Sequence, residues 1–300
     1  MNSLKGMFGG NNRDAAKKET ENFMEERRNL LSPKSDFYVR EAYKTLRTNV
    51  SFALADEEKC HVIVVTSSLQ GEGKSITAMN LAISYSMADR KVLVVDCDLR
   101  RPKLARLMRV SANAGLSNVI LNPKLLEEAI VPTHIEGLDV ILSGDIPPNP
   151  SELLGSERMK RIVAALRERY DYIILDSPPV NMVTDAVVLA PMSDGVLFLV
   201  RANHSERGAV IHAVEQLEYA KVKILGFVLN DVDIENTHYG YKKYRYGRYG
   251  RYGYGYSRGY GYGYGYSQSH GTGTTQGTGT APISRAPVSV EQILEEYRKD

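Results

Sequence analysis

The run Thr66-Ser-Ser-Leu-Gln-Gly-Glu-Gly-Lys-Ser75 carries the densest chemistry in the chain. Gly71 and Gly73 let the backbone fold tightly enough for its N–H groups to point at phosphate oxygens. Lys74 offers a point charge to β- and γ-phosphates, and Ser75 offers a hydroxyl to Mg²⁺. Ile76 leads into a helical stretch whose N-terminus adds its positive dipole end. Ser68, Gly71, Glu72, Gly73, Lys74, Ser75 and Ile76 are therefore candidate nucleotide contacts. The usual pattern has glycine where Ser68 stands, so the match rests on the apolar strand before the loop and the helix after it. The bland alternative is a surface turn.

Two further apolar runs end in acids. Val92-Leu-Val-Val-Asp-Cys-Asp-Leu-Arg-Arg-Pro102 puts Asp96 and Asp98 two apart at a strand exit, facing one way. Tyr172-Ile-Ile-Leu-Asp-Ser-Pro-Pro179 puts Asp176 at another. Three carboxylates beside a phosphate loop repel one another unless a cation sits among them. Mg²⁺ accompanying ATP supplies one, with one or two carboxylates, phosphate oxygens and water as its ligands. On this reading Ser75, Asp98 and Asp176 hold Mg²⁺, and Asp96 accepts or positions an acceptor's hydroxyl proton. Arg100 either stabilises a transferring phosphoryl group or makes a structural ion pair with a nearby acid. Asn230, at the end of a late apolar run, either touches adenine or caps its strand.

These groups need a scaffold. Apolar runs at His61–Val65, Val92–Val95, Tyr172–Leu175, Val196–Val200 and Ile224–Leu229 lack polar alternation and are separated by helical segments. That pattern predicts an α/β fold of the P-loop NTPase type, a mainly parallel twisted sheet with helices on both faces. Active groups then belong beyond the C-terminal ends of the strands. A helix over 36–54 precedes the first strand. Its Tyr43, Leu46, Val50 and Leu54 line one side, and Glu41, Lys44 and Arg47 recur at threes beside them. Residues 1–35 read as a mobile polar arm, 36–237 as the P-loop domain, 238–267 as a tyrosine-rich tail, and 268–300 as a Gly/Thr linker with a short amphipathic helix.

The net charge of +2 hides an imbalance. Of 19 tyrosines, 12 lie in the 28 residues from Tyr239 to Tyr266, with nine glycines, six Lys/Arg and no acid. That window carries +6 and residues 267–300 carry −1, which leaves the first 238 residues at −3. Two cysteines, Cys60 and Cys97, read as buried thiols rather than a disulfide framework. No apolar run approaches the ~20 residues that span a bilayer, and no signal-peptide core is evident. A cytoplasmic protein is expected, brought to the inner face of the membrane only by a partner. Tyr38, Tyr43, Tyr85, Tyr170, Tyr172 and Tyr219 are expected to pack.

The deviant loop, the strand Val-Val-Asp-Cys-Asp-Leu-Arg-Arg-Pro and the segment Leu-Asp-Ser-Pro-Pro occur together. Together they resemble the bacterial tyrosine kinases of capsular and exopolysaccharide synthesis, from about Ser32 to Tyr266. The form resembled is the Gram-positive one, in which the kinase is a separate chain activated by a membrane partner of the polysaccharide co-polymerase type. The resemblance implies phosphoryl transfer from ATP, with Lys74, Asp96, Asp98, Arg100 and Asp176 as catalytic residues. The acceptors would be Tyr239, Tyr241, Tyr244, Tyr246, Tyr249, Tyr252, Tyr254, Tyr256, Tyr260, Tyr262, Tyr264 and Tyr266 of a neighbouring subunit. It implies a ring of copies when unphosphorylated, supported by a Glu-x-x-Arg-x-x-Arg pattern that here reads Glu41, Lys44 and Arg47. It also implies regulation of polysaccharide synthesis and export, an opposing tyrosine phosphatase, and no nucleic acid. The Lys at 44 forgoes a bidentate carboxylate contact.

Two rivals stand beside this reading. One is an ATPase that positions or partitions cargo, although Leu69 occupies the place of its signature lysine. The other is a binding module whose Tyr, Arg and Gly stack on single-stranded nucleic acid. At −1.5 to −2 per phosphate, about three or four phosphotyrosines cancel the tail's charge. Phosphorylation is therefore expected to release the tail and loosen a ring. Light scattering checks this, and a phosphorylated chain that stays fully oligomeric contradicts it.

Overall fold

Strand β1 (His61–Ser67) is buried along its whole length, as an apolar run without alternation requires of a sheet covered on both faces. The computed structural model describes residues 26–54 and 60–232. In chain order the other elements are α1 (Phe37–Leu54), α2 (Lys74–Ser86), β2 (Val92–Asp96), α3 (Leu104–Met108), α4 (Leu116–Leu121), α5 (Leu126–Ala129), β3 (Ile130–Pro132), β4 (Leu138–Ile141), α6 (Pro150–Leu154), α7 (Glu157–Arg167), β5 (Tyr172–Asp176), α8 (Asp185–Leu189), β6 (Gly195–Arg201), α9 (Arg207–Tyr219) and β7 (Ile224–Asn230). The seven described strands lie in the order β3-β4-β2-β5-β1-β6-β7. Only the β3–β4 pair is antiparallel. The expected α/β fold with a mainly parallel sheet is therefore present.

Alternation along each strand divides the core into two layers. Val62, Val64, Leu93, Val95, Ile173 and Leu175 face α7, where Met159, Ile162, Val163 and Leu166 are buried. Ile63, Val65, Val92, Val94 and Ile174 face α2 with its Ala78, Met79, Leu81, Ala82 and Ile83, and Val50 and Leu54 of α1 join them. The register sets Asp176 beside Val65 on one side and Asp96 on the other. Three strand exits thus meet at the end of β1.

The structure differs from expectation in four places. Strands β3 and β4 were not foreseen, because Asp139 interrupts the apolar run of one and Pro132 ends the other; Asp139 accepts a hydrogen bond from the Tyr170 hydroxyl at 2.8 Å. The polar arm does not reach residue 35. The amide of Asn80 in α2 accepts from the Leu31 N–H at 2.7 Å and donates to the Asn29 carbonyl at 2.9 Å, and Leu31 is buried. Cys97 is a buried free thiol, but Cys60 is only half-buried. Tyr85 and Tyr172 pack, stacked with centroids 3.7 Å apart, whereas Tyr38 and Tyr219 are exposed.

Replacing Asn80 with Ala strands a buried N–H and a carbonyl of the 29–31 segment, at a cost of about 1–3 kcal/mol. Urea unfolding should show that loss, with faster proteolysis between residues 26 and 35. Unchanged stability and protease resistance would show that the segment is not held this way.

Candidate active site

The loop between β1 and α2 is shaped by two left-handed glycines, Gly71 at φ +80 and Gly73 at φ +93. Most residues adopt that conformation only with strain. Lys74, the first residue of α2, is buried and donates to the Ser67 hydroxyl at 3.0 Å and to the Leu69 carbonyl at 3.3 Å. Burial lowers its pKa, opposed by Asp176, Glu72 and Asp98. All three acids are therefore close enough for this ammonium to sense.

Asp96 and Asp176 are opposite residues at the exits of adjacent strands, and both are buried. Asp96 Oδ2 accepts the backbone N–H groups of Lys103 and Leu104, each at 3.1 Å. Its Oδ1 is buried with no hydrogen-bond partner, and neither oxygen of Asp176 has one of ordinary geometry, although the Ser75 hydroxyl lies close enough to favour the charged form of Asp176. Buried carboxylates without donors resist ionisation. Burial, then the charge of Asp176, pushes the Asp96 pKa well above the usual range, against the two N–H donors. Burial pushes Asp176 up to about 6, with Ser75 and Lys74 pulling the other way. Orphaned acceptors beside a lysine and a loop turned by two left-handed glycines fit a nucleotide carrying a divalent cation. Among the described residues no three His, Cys, Asp or Glu side chains converge into a cage sufficient for a metal. Mg²⁺ here would need phosphate oxygens, which is this ion's habit.

Asp98 is partly exposed, and its Oδ1 accepts the Arg101 N–H at 3.0 Å. Arg100 grips the buried Asp185 with two donors, Nε at 3.1 Å and Nη2 at 3.2 Å, and reaches the Ser151 hydroxyl at 3.1 Å. Of the two roles open for Arg100, the ion pair is the one formed in the structure. Glu72 faces inward within the loop, its carboxylate accepting from the Ser68 hydroxyl at 2.8 Å, the Leu69 N–H at 2.7 Å and the Ser205 hydroxyl. Asn230 donates to the Glu72 carbonyl at 3.1 Å. Ser75 and Ile76 open α2 and are half-buried.

Sequence reasoning missed Ser205, Arg201 and His204. Their only signal was position, just beyond an apolar strand. On α1, Lys44 pairs with Glu41 at 2.6 Å, while Arg47 donates to the Ser84 carbonyl at the end of α2. The tyrosines from Tyr239 to Tyr266, the linker and the terminal helix lie outside the described residues.

Residues 60–225 match the family model described as an AAA domain. Tyrosine-protein kinase YwqD of Bacillus subtilis is 37% identical over 213 residues, 71% of this chain and 89% of the relative. The crystal structure of the chimerical protein CapA2B2 is 38% identical, covering 66% of this chain and 86% of that one with a TM-score of 0.62. The kinase domain of Escherichia coli tyrosine kinase ETK is 33% identical, with coverages of 73% and 81% and a TM-score of 0.63.

The orphaned Asp176 sets a stability prediction. Its folded pKa of about 6 lies above the unfolded value of 3.8, so the folded state holds the proton more tightly. Stability without nucleotide therefore falls as pH rises from 3.8 to about 6. Asp176→Asn should raise stability at pH 7 by on the order of 3 kcal/mol, with the gain vanishing in acid. Chemical denaturation across pH checks this. A destabilised Asp176→Asn at neutral pH contradicts it.

Proposed function

The chain belongs to the family of bacterial tyrosine-protein kinases, and from that premise we propose that it transfers the γ-phosphoryl group of ATP to tyrosines of its own 239–266 segment, on a neighbouring copy. The observation that supports this most directly is the pair Asp96 and Asp176, buried and short of partners beside Lys74.

In this mechanism Lys74 and the loop N–H groups hold the β- and γ-phosphates. Ser75, Asp98 and Asp176 are the residues that would hold Mg²⁺, which when bound supplies positive charge among the carboxylates and phosphate oxygens. Asp96 is fixed through Oδ2 and has Oδ1 unpartnered, and its raised proton affinity suits a general base. The tyrosine oxygen forms its bond to the γ-phosphorus while the bond to the β,γ-bridging oxygen breaks. The electron pair leaves with ADP and the phenolic proton passes to Asp96. Arg100, held by Asp185 and Ser151, keeps the segment carrying Asp98 in place.

Composition supports the tail as acceptor. A body at −3 attracts a tail at +6, and a Gly-rich tether of ~15 residues spans ~20 Å on average and ~50 Å at most. We further propose that Glu41, Lys44 and Arg47 support a ring of copies, and that a membrane-anchored activator of the co-polymerase type recruits the chain. Among the described residues no helix is long and apolar enough to cross a membrane. A tyrosine phosphatase would remove the phosphate by hydrolysis, restoring the tyrosine and releasing inorganic phosphate, and the cycle would regulate capsular or exopolysaccharide synthesis and export.

Labelled ATP with Mg²⁺ should place phosphate on 239–266, and Lys74→Met should abolish self-labelling. In a mixture, a chain with the 12 tail tyrosines changed to Phe should label the Lys74→Met chain. Hydrolysis of ATP with no label on either chain would sink this function. Label that never crosses between chains would sink the transfer between copies.

A further inference from the structure

The phosphate loop is gripped from outside. The Gln70 carbonyl lies 3.2 Å from His204 Nε2, the Gly71 carbonyl accepts Arg201 Nη1 at 3.0 Å, and the Glu72 carbonyl accepts Asn230 Nδ2 at 3.1 Å. Three successive carbonyls thus have partners at the ends of β6 and β7. In a planar trans peptide the N–H points away from the C=O. Holding these carbonyls outward turns the N–H groups of Gly71, Glu72 and Gly73 to the opposite side, where a phosphate can be cradled.

The side chain of Glu72 adds a second tie. Its carboxylate is wholly buried, yet none of its bonds is aimed at a ligand. It joins Ser68 and Leu69 at the start of the loop to Ser205 beyond β6, and the Ser205 hydroxyl also accepts the Arg201 N–H at 2.8 Å. The departure from glycine at position 68 now has a partner: the Ser68 hydroxyl is one of the donors that make an acid tolerable here. Asn230 packs tightly on the loop, since a Cβ on Gly73 would lie 2.2 Å from its Nδ2.

We propose that Asn230 and Glu72, with Ser205, are positioning residues that fix the phosphate loop in its anion-binding form, so that β6 and β7 set nucleotide affinity through the loop's peptides and not through the base. This rests on the nucleotide chemistry proposed above and assigns Asn230 a role other than adenine contact.

The test compares binding of ATP, GTP and inorganic tripolyphosphate, each with Mg²⁺, to the full chain and to Asn230→Asp and Ser205→Ala. Asn230→Asp replaces the donor with an acceptor facing the Glu72 carbonyl. It should weaken all three ligands by the same factor, about tenfold, as for one lost hydrogen bond and its misoriented peptide. Ser205→Ala, the milder change, should weaken all three by about threefold. The effect should fall on KM for ATP far more than on kcat, with melting temperature recorded alongside. Loss confined to ATP, with tripolyphosphate unaffected, would mean that Asn230 reads the base and would overturn the proposal. So would unchanged affinities in either folded variant. If the unaltered chain bound ATP but both variants matched it, only the positioning role would fall. If the unaltered chain bound none of the three, the nucleotide reading would fall with it.

Discussion

Two carboxylates forced together in a dry place govern the site. The parallel register sets Asp96 opposite Asp176, and the strands that carry them are buried on both faces. Like charges at adjacent strand ends, away from water, raise each other's proton affinity and work against the fold. Lys74 relieves part of this, but burial lowers its own pKa in turn. The arrangement is stable as protein only because the rest of the domain contributes enough, and a ligand that brings positive charge would compensate it further. A site strained in this way is poised for a ligand bearing a cation, and stability is what it gives up.

The surrounding elements divide the work. The core layers hold the strand exits in register, and α2 brings Lys74 in at its first residue. Asp185 fixes Arg100 on one side of the site. On the other, the ends of β6 and β7 grip the phosphate loop by its carbonyls. Helix α1 is tied to the end of α2 through Arg47, Ser84 and Tyr85, since the Tyr85 hydroxyl donates to the Arg47 carbonyl at 3.3 Å. A helix proposed to meet neighbouring copies is thereby joined to the helix that begins at the phosphate loop.

Much of this was legible in the amino-acid sequence, for a physical reason. Five apolar runs without alternation demanded a covered parallel sheet, and that topology alone brings acids at strand exits to a loop after the first strand. What escaped notice needed tertiary contacts. Asp185, following Leu-Asp-Ser-Pro-Pro, reads from the sequence as a support for the site or a helix cap, but nothing local marks it as the partner of Arg100, 85 residues away. Glu72 resembled a ligand contact because it sits inside the motif, while its partner Ser205 lies 133 residues on. Strands β3 and β4 are short and interrupted, and the anchoring of Leu31 depends on one asparagine of α2.

The most direct measurement is a carboxyl-carbon NMR titration of Asp96 and Asp176, with and without Mg²⁺ and ADP. Without nucleotide, Asp176 should titrate near 6 and Asp96 well above the ordinary range. Mg²⁺ with ADP should bring Asp176 down into the usual carboxylate range. Ordinary titration of both groups in the free chain, or no response to Mg²⁺ and nucleotide, would contradict a site built on buried charge awaiting its counterion.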